Sequence, residues 1–174
     1  MKIRFLDLLS EHVQRIMKSE RRSSMEDVRN IAKWFLHQSS MTHKKLQKLC
    51  YYAQAWYCAL YDGTPLFEDE IQAWVHGPVI PTLYPRYADY KWEDIPQADF
   101  DESILSTKAL DVLEAVYNTY GSLSGDQLEA LTHREKPWVE ARGDLESWES
   151  GETPISHKTM RTYYREKYEK GQND

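Results

Sequence analysis

Residues Lys44–Tyr90 read KKLQKLCYYAQAWYCALYDGTPLFEDEIQAWVHGPVIPTLYPRYADY, and this stretch decides the fold. It opens with Leu46, Leu49, Cys50, Ala53, Trp56, Tyr57 and Leu60, apolar or aromatic residues recurring every three or four positions. That spacing lays them along one helix face and is the strongest helical period in the chain. Thr42 is placed to cap this helix. Asp62-Gly63-Thr64 turns the chain. Pro65–Phe67 and Ile71–His76 then read as two short strands connected through Glu68-Asp69, which predicts a small hairpin. Gly77-Pro78 ends the second strand. Pro81 occupies the first position of a short helix running to about Tyr87, and Pro85 inside it forces a kink or an end. The stretch holds four of the chain's seven prolines and both cysteines, and the rest of the chain reads as packing around it.

Upstream, Ile3, Leu6, Leu9, Val13 and Ile16 fall near one face of an amphipathic helix over residues 3–18. A polar break follows. Ser24 and Asp27 then signal the start of a helix from Met25 to about Gln38 that buries Val28, Ile31, Ala32, Phe35 and Leu36. Downstream, residues 91–103 read as a surface loop. Ser106 caps a helix ending at Tyr120-Gly121, and Ser124 with Gln127 forms a capping box for a helix to about Thr132. Pro137 opens a short turn carrying Trp138. A last helix starts at Thr153 or Ser156 and runs through Tyr168. The expected architecture is mainly α with a small β-hairpin, an α+β arrangement in a single compact helical domain over residues 25–170, preceded by an extension over 1–24.

The formal net charge is −6 and the sequence pI about 5.5. A chain whose affinity rests on neutralising phosphates is expected to be basic, so nucleic acid is disfavoured as a partner. Twelve Tyr and six Trp are the unusual feature of the composition, and both residue types suit interfaces. Cys50 and Cys58 lie roughly 12 Å apart along one helix, too far for a disulfide, and read as buried small hydrophobes in a reducing compartment. No apolar run approaches the roughly 20 residues a membrane span needs. Lys2, Arg4, Asp7 and Glu11 interrupt the N-terminal apolar residues, which argues against a signal peptide. A cytoplasmic location without membrane contact is expected.

Reactive chemistry finds little support. His43 and His76 fall in different elements and there is no HExxH or CxxC, so no metal site is expected. The cysteines have no histidine partner nearby, and neither G-x-S-x-G nor a P-loop is present. Glu68, Asp69 and Glu70 read as a solvated hairpin tip. No enzyme activity and no cofactor are expected. The densest local signal is Trp74-Val-His-Gly-Pro-Val-Ile-Pro81: it reads either as a preformed recognition surface, with prolines fixing the backbone around Gly77, or as a rigid corner that locks the fold. Tyr51, Tyr52, Trp56, Tyr57 and Tyr61 cover more of their helix than one core face needs, which leaves Tyr52 and Tyr61 toward solvent. Lys44, Lys45 and Lys48 crowd the first turns of that helix against its dipole and read as a solvated face, or as lysines that meet an acidic surface. The expected partner-binding residues are Tyr52, Trp56, Trp74, His76, Pro78 and Tyr84.

The run KLQKLCYYAQAWYCALYDGTPLFEDEIQAWVHGPVIPTLYPRY, residues 45–87, resembles the signature of the SocA-like antitoxin domain, also called Panacea and met as a phage-associated protein type. Thr132-His133-x-Glu135-x-Pro137-Trp138 is similar to that family's second motif, and the likeness extends over about Met25 to Tyr168. The resemblance implies a mostly helical, non-enzymatic domain with a small β element. It implies an antitoxin that neutralises a cognate toxin, encoded by an adjacent gene, through direct protein–protein binding. The alternative it carries is a proteolytic adaptor delivering a toxin or other client to a cytoplasmic protease. The acidic balance suits a basic toxin. Two departures stand out: Pro85 falls where a helix-compatible residue is expected, and residues 1–24 lie outside the likeness. They read as an extra toxin-contacting helix, or as sequence upstream of a true start at Met25.

Overall fold

The protein is described here by a computed structural model over residues 25–172. The extension 1–24, with the helix expected over 3–18, lies outside the described residues.

Seven α-helices and two small antiparallel sheets make up the described chain. Helix α1 (Val28–Gln38) is capped by Asp27, whose side chain accepts from Arg29 N. Strand β1 (Met41–Thr42) leads into α2 (His43–Leu60), capped as expected by Thr42 through Lys45 N. The hairpin β2 (Gln72–Trp74) and β3 (Gly77–Val79) follows, then the short α3 (Tyr84–Tyr87) and β4 (Asp94–Ile95), which pairs with β1. Helices α4 (Thr107–Tyr120), α5 (Gly125–Thr132), α6 (Lys136–Arg142) and α7 (His157–Gln172) complete the chain. Ser106 caps α4, and the Ser124/Gln127 capping box of α5 is formed in both directions.

Helix α2 is the axle. Every residue of it except Lys44, Lys45 and Leu60 is buried, because α1, α4, α5, α7 and β3 pack around it from all sides. An amphipathic period normally marks a helix with one wet face. Here the polar face is covered as well, and this corrects the expectation for Tyr52, which is 0% exposed, and places Trp56 in the core beside it. Tyr52 stacks on Tyr120 of α4 with ring centroids 4.0 Å apart, and Trp56 donates from Nε1 to Tyr120 Oη at 3.1 Å. Cys50 and Cys58 are free and buried. One hydrophobic cluster runs from Val28 in α1 to Tyr164 in α7.

The hairpin forms one segment later than its expected register. Trp74 pairs with Gly77 across a turn at Val75-His76, and Gly77 takes φ +95°. Pro65–Phe67 is not a strand because α2 already satisfies its backbone. Gln54 Oε1 accepts from Leu66 N at 2.7 Å and from Phe67 N at 3.3 Å, while Gln54 Nε2 donates to Phe67 O at 2.9 Å. A buried amide thus takes the place of a neighbouring strand. The segment before α7 lies along the other edge of β2, with Ala73 N donating to Thr153 O at 2.9 Å and Ile155 N to Ile71 O at 2.7 Å. The role expected of Pro81 falls to Pro85, which sits in the first turn of α3, where a missing N–H costs nothing.

Candidate functional site

A cleft of about 500 Å³ opens where the first turns of α2 meet the hairpin, α3 and the loop before α7. Its floor is Lys48, which is 1% exposed and donates from Nζ to Pro78 O at 3.1 Å. This corrects the reading of Lys48 as part of a solvated face: the hairpin folds over the start of α2 and encloses the amine. Burial draws its pKa down from 10.5 to about 7. Beside it, Gln47 Oε1 accepts from Ile80 N at 2.8 Å, and Gln47 Nε2 donates to His43 Nε2 at 3.0 Å. The acceptor role at Nε2 keeps His43 neutral, and burial, then the nearby Lys48 charge, lowers its pKa to about 4.

The wall is aromatic. The Trp74 ring centroid lies 5.1 Å from that of Tyr84, and Tyr84 lies 4.7 Å from His43. At the rim Tyr84 is 38% exposed and Trp92 78% exposed. Lys91 and Trp92 form the centre of a tight turn closed by Glu93 N donating to Tyr90 O at 2.8 Å, and Lys91 takes φ +52°. Lys44 and His76 flank the cleft but are already engaged. Glu129 Oε2 accepts from Lys44 Nζ at 2.6 Å, and Glu129 Oε1 accepts from His76 Nδ1 at 3.0 Å. Asp126 also takes Lys44, at 2.8 Å. The acidic surface that this lysine meets is therefore α5 of its own chain.

Of the six residues expected to contact a partner, the fold brings Trp74, His76 and Tyr84 together on this cleft. Pro78 contributes its carbonyl to Lys48 while its ring is buried. Tyr52 and Trp56 lie in the core and present no surface. Lys48 and Trp92 went unrecognised: Lys48 sits in a lysine run that reads as solvated, and Trp92 in a stretch that reads as plain loop.

Tyr52 instead belongs to a second buried polar site. Glu135, at the N-cap position of α6, accepts from Tyr52 Oη at 2.9 Å and Tyr164 Oη at 2.6 Å on Oε2, and from Lys167 Nζ at 2.9 Å on Oε1. Burial, reinforced by the Glu135 charge, raises the Tyr52 hydroxyl well above its ordinary pKa, and burial does the same for Tyr164. Close by, His133 stacks on Trp138 at 4.0 Å, and Trp138 Nε1 donates to Trp74 O at 3.0 Å. The motif around Thr132–Trp138 therefore braces the hairpin that forms the cleft wall.

Among the described residues no group of three or more His, Cys, Asp or Glu is placed to hold a metal ion, and no helix is long and apolar enough to cross a membrane. No curated protein and no solved structure matches the chain. Residues 46–139 match the model of the family described as Antitoxin SocA-like, Panacea domain. That match takes in Lys48, the hairpin, the Trp92 turn and Glu135, while α1 and α7 pack against it from outside. Since it spans more than half of the chain, the protein belongs to the SocA-like antitoxin, Panacea-domain family.

Proposed function

We propose that the chain is an antitoxin that neutralises a cognate toxin by direct protein–protein binding, with the rim of the cleft as its contact face. Membership of the family supports the class. The observation that carries the placement is the exposure of Trp92, flanked by the partly exposed rings of Tyr84 and Tyr90. Aromatic side chains bring large contact area for little rotamer entropy and dominate many interfaces, at about 2 kcal/mol or more for a central anchor. Among the described residues Trp92 is the most exposed large aromatic, with Lys44 Nζ 5.8 Å from its ring centroid.

Co-expression with the product of the adjacent gene tests the reading. Rescue of growth and recovery of a stable complex are expected. Trp92→Ala should keep the wild-type melting temperature and circular dichroism while losing capture of the toxin. Tyr84→Ala, which also gives up packing against Trp74 and His43, should keep the circular dichroism, lower the melting temperature and lose capture as well. Failure of both rescue and capture would overturn the antitoxin reading, and full capture by the double variant would move the contact face elsewhere. The toxin's half-life should stay unchanged or lengthen in the presence of the chain. A shortened half-life that depends on a cellular protease would replace sequestration with the adaptor role.

A further inference from the structure

The chain carries a formal charge of −6, yet the cleft is not acidic. Lys48 forms its floor and Lys91 part of its rim, and neither makes an ion pair among the described residues. Glu152 is the one carboxylate in the lining, and Glu129 behind it is held by Lys44 and His76.

We propose that this cleft is a binding site for a flat, ring-bearing anion, whose carboxylate or phosphate reaches the Lys48 ammonium while its ring lies against Trp74, Tyr84 and Trp92.

Lys48 carries this inference. An ammonium has three N–H donors, and among the described residues one is used, on Pro78 O. A buried cation with spare donors is costly unless an anion or further acceptors complete it. The fold nevertheless makes room for the amine. Gly77 of the hairpin lies directly over it, so that a Cβ at that position would stand 2.6 Å from Lys48 Cε and 3.2 Å from Nζ. A side chain kept solely for packing could be replaced by an apolar one of the same length. The lysine that is retained lines a cleft of the size that takes small molecules, whose wall sets the rings of Trp74, Tyr84 and Trp92 among polar and charged side chains. Desolvation disfavours its charged form, and an arriving anion would restore it. A cationic ligand would meet Lys44, Lys48 and Lys91 in a lining with one carboxylate, Glu152, while Glu129, which also acts on Lys48, is engaged by Lys44 and His76. The turn that presents Trp92 holds Lys91 at a positive φ, a conformation that costs free energy and concentrates at ligand sites.

The site lies within this chain alone, so it stands or falls independently of the antitoxin reading. Calorimetric titration of the full chain with indole-3-acetate and with adenosine 5′-monophosphate tests it. Indole-3-acetamide and adenosine serve as neutral counterparts and tryptamine as the cationic one. At least one anion should bind with a Kd under about 1 mM, and at least tenfold more tightly than its neutral counterpart. Binding by the indole acid alone assigns a carboxylate end, and binding by the nucleotide alone a phosphate end. Lys48→Met should weaken binding at least tenfold, whereas Lys33→Met, on α1, should leave it unchanged. In the wild-type chain, where no substitution can disturb folding, the Lys48 ¹³Cε resonance should move on adding the anion and stay in place with the neutral analogue. Neutral and anionic probes of equal affinity, no binding by either anion, or an unmoved Lys48 resonance at saturation would each overturn the proposal.

Discussion

Lys48 and Tyr52 stand one turn apart on α2, and each leads to a buried charge. Tyr52 reaches Glu135, whose carboxylate accepts from two tyrosine hydroxyls and from Lys167. Lys48 is itself the charge, and it donates to one carbonyl. Both groups are almost fully buried, so exposure does not separate them. Saturation does. A buried charge with most of its hydrogen-bonding capacity used, three bonds here, makes a rigid, specific joint, tying α6 to α2 and α7. A buried charge with capacity left over, next to open space, is a group waiting for a counterpart. The helix therefore carries its structural joint and its candidate ligand contact within four residues of each other.

The largest expected effect lies on the saturated side. Glu135→Ala removes the acceptor for Tyr52, Tyr164 and Lys167 at once, stranding the buried Tyr52 hydroxyl and leaving Tyr164 only its contact with Tyr51 Oη. A loss of about 3–5 kcal/mol is expected in urea unfolding. Glu135→Gln, which keeps one acceptor oxygen, should lose less. If Glu135→Ala cost under about 1 kcal/mol, the joint would not be what holds α6 and α7 against α2.

On the unsaturated side the sign reverses. Replacing a poorly compensated buried charge by an apolar residue of like volume is often neutral or stabilising, by about 1–4 kcal/mol. Lys48→Met should therefore unfold at equal or higher denaturant concentration than the wild type at pH 7. Its pH dependence carries a sharper signature. The Lys48 pKa is about 7 in the folded chain against 10.5 when unfolded. Between those values the unfolded chain holds a proton that the folded chain does not. Wild-type stability should therefore rise with pH across this window and level off below pH 7, where both forms are protonated. The cysteines, and above pH 10 the buried tyrosines, push the other way, since burial raises them and the unfolded chain ionises first. The difference between wild type and Lys48→Met, measured from pH 7 to about 9.5, removes those shared contributions. Lys44 and Glu129, the charges facing Lys48, are present in both proteins. A difference that does not change with pH would mean that the amine is solvated.

How much of this was legible beforehand divides along the same line. Helix α2, its Thr42 cap and the Ser124 capping box are local features, encoded within a few residues, and they read correctly. Trp74, His76 and Tyr84 could be singled out because glycine and proline crowd the segment that carries them. The hairpin register could not, because the group that satisfies Leu66 and Phe67 is Gln54, on another element. Tyr52 and Lys48 misled for a common reason. A 3.6-residue period shows which face of a helix is most apolar, but it says nothing about whether other elements cover the remaining face. Covering α2 on all sides turned an expected surface tyrosine into a core hydrogen-bond donor and an expected surface lysine into a cleft floor.

The backbone repeats the contrast, with a smaller effect. Gly77 and Lys91 both take positive φ, at +95° and +52°, one on the roof over Lys48 and one at the rim. Gly77→Ala should cost about 1–3 kcal/mol, from the strained φ and from the approach of its Cβ to Lys48 Cε. In the Lys48→Ala background the steric part due to Lys48 should disappear, while the 3.0 Å approach to Thr132 Oγ1 and the conformational part remain, so the two substitutions should couple rather than add.

Lys91 is the opposite case. A glycine would suit the first central position of this turn, and the chain has a lysine there, so strain is kept where a glycine would relieve it. Relief and loss of the fixed conformation act against each other on stability, since glycine also frees the unfolded chain. Lys91→Gly should therefore move the unfolding midpoint by no more than about 0.5–1 kcal/mol, in the stabilising direction if strain is the larger component. Ligand binding should respond differently. Removing the charge and the constraint that holds Trp92 at the rim should weaken the tested anions several-fold, while Lys91→Ala should lose only the charge. A variant more stable than the wild type and weaker in anion binding is the pattern expected of a residue retained for its site. Equal anion affinity in all three chains would make the Lys91 turn a tolerated irregularity of the loop, and would leave anion binding to the lysines at the start of α2, Lys48 first among them.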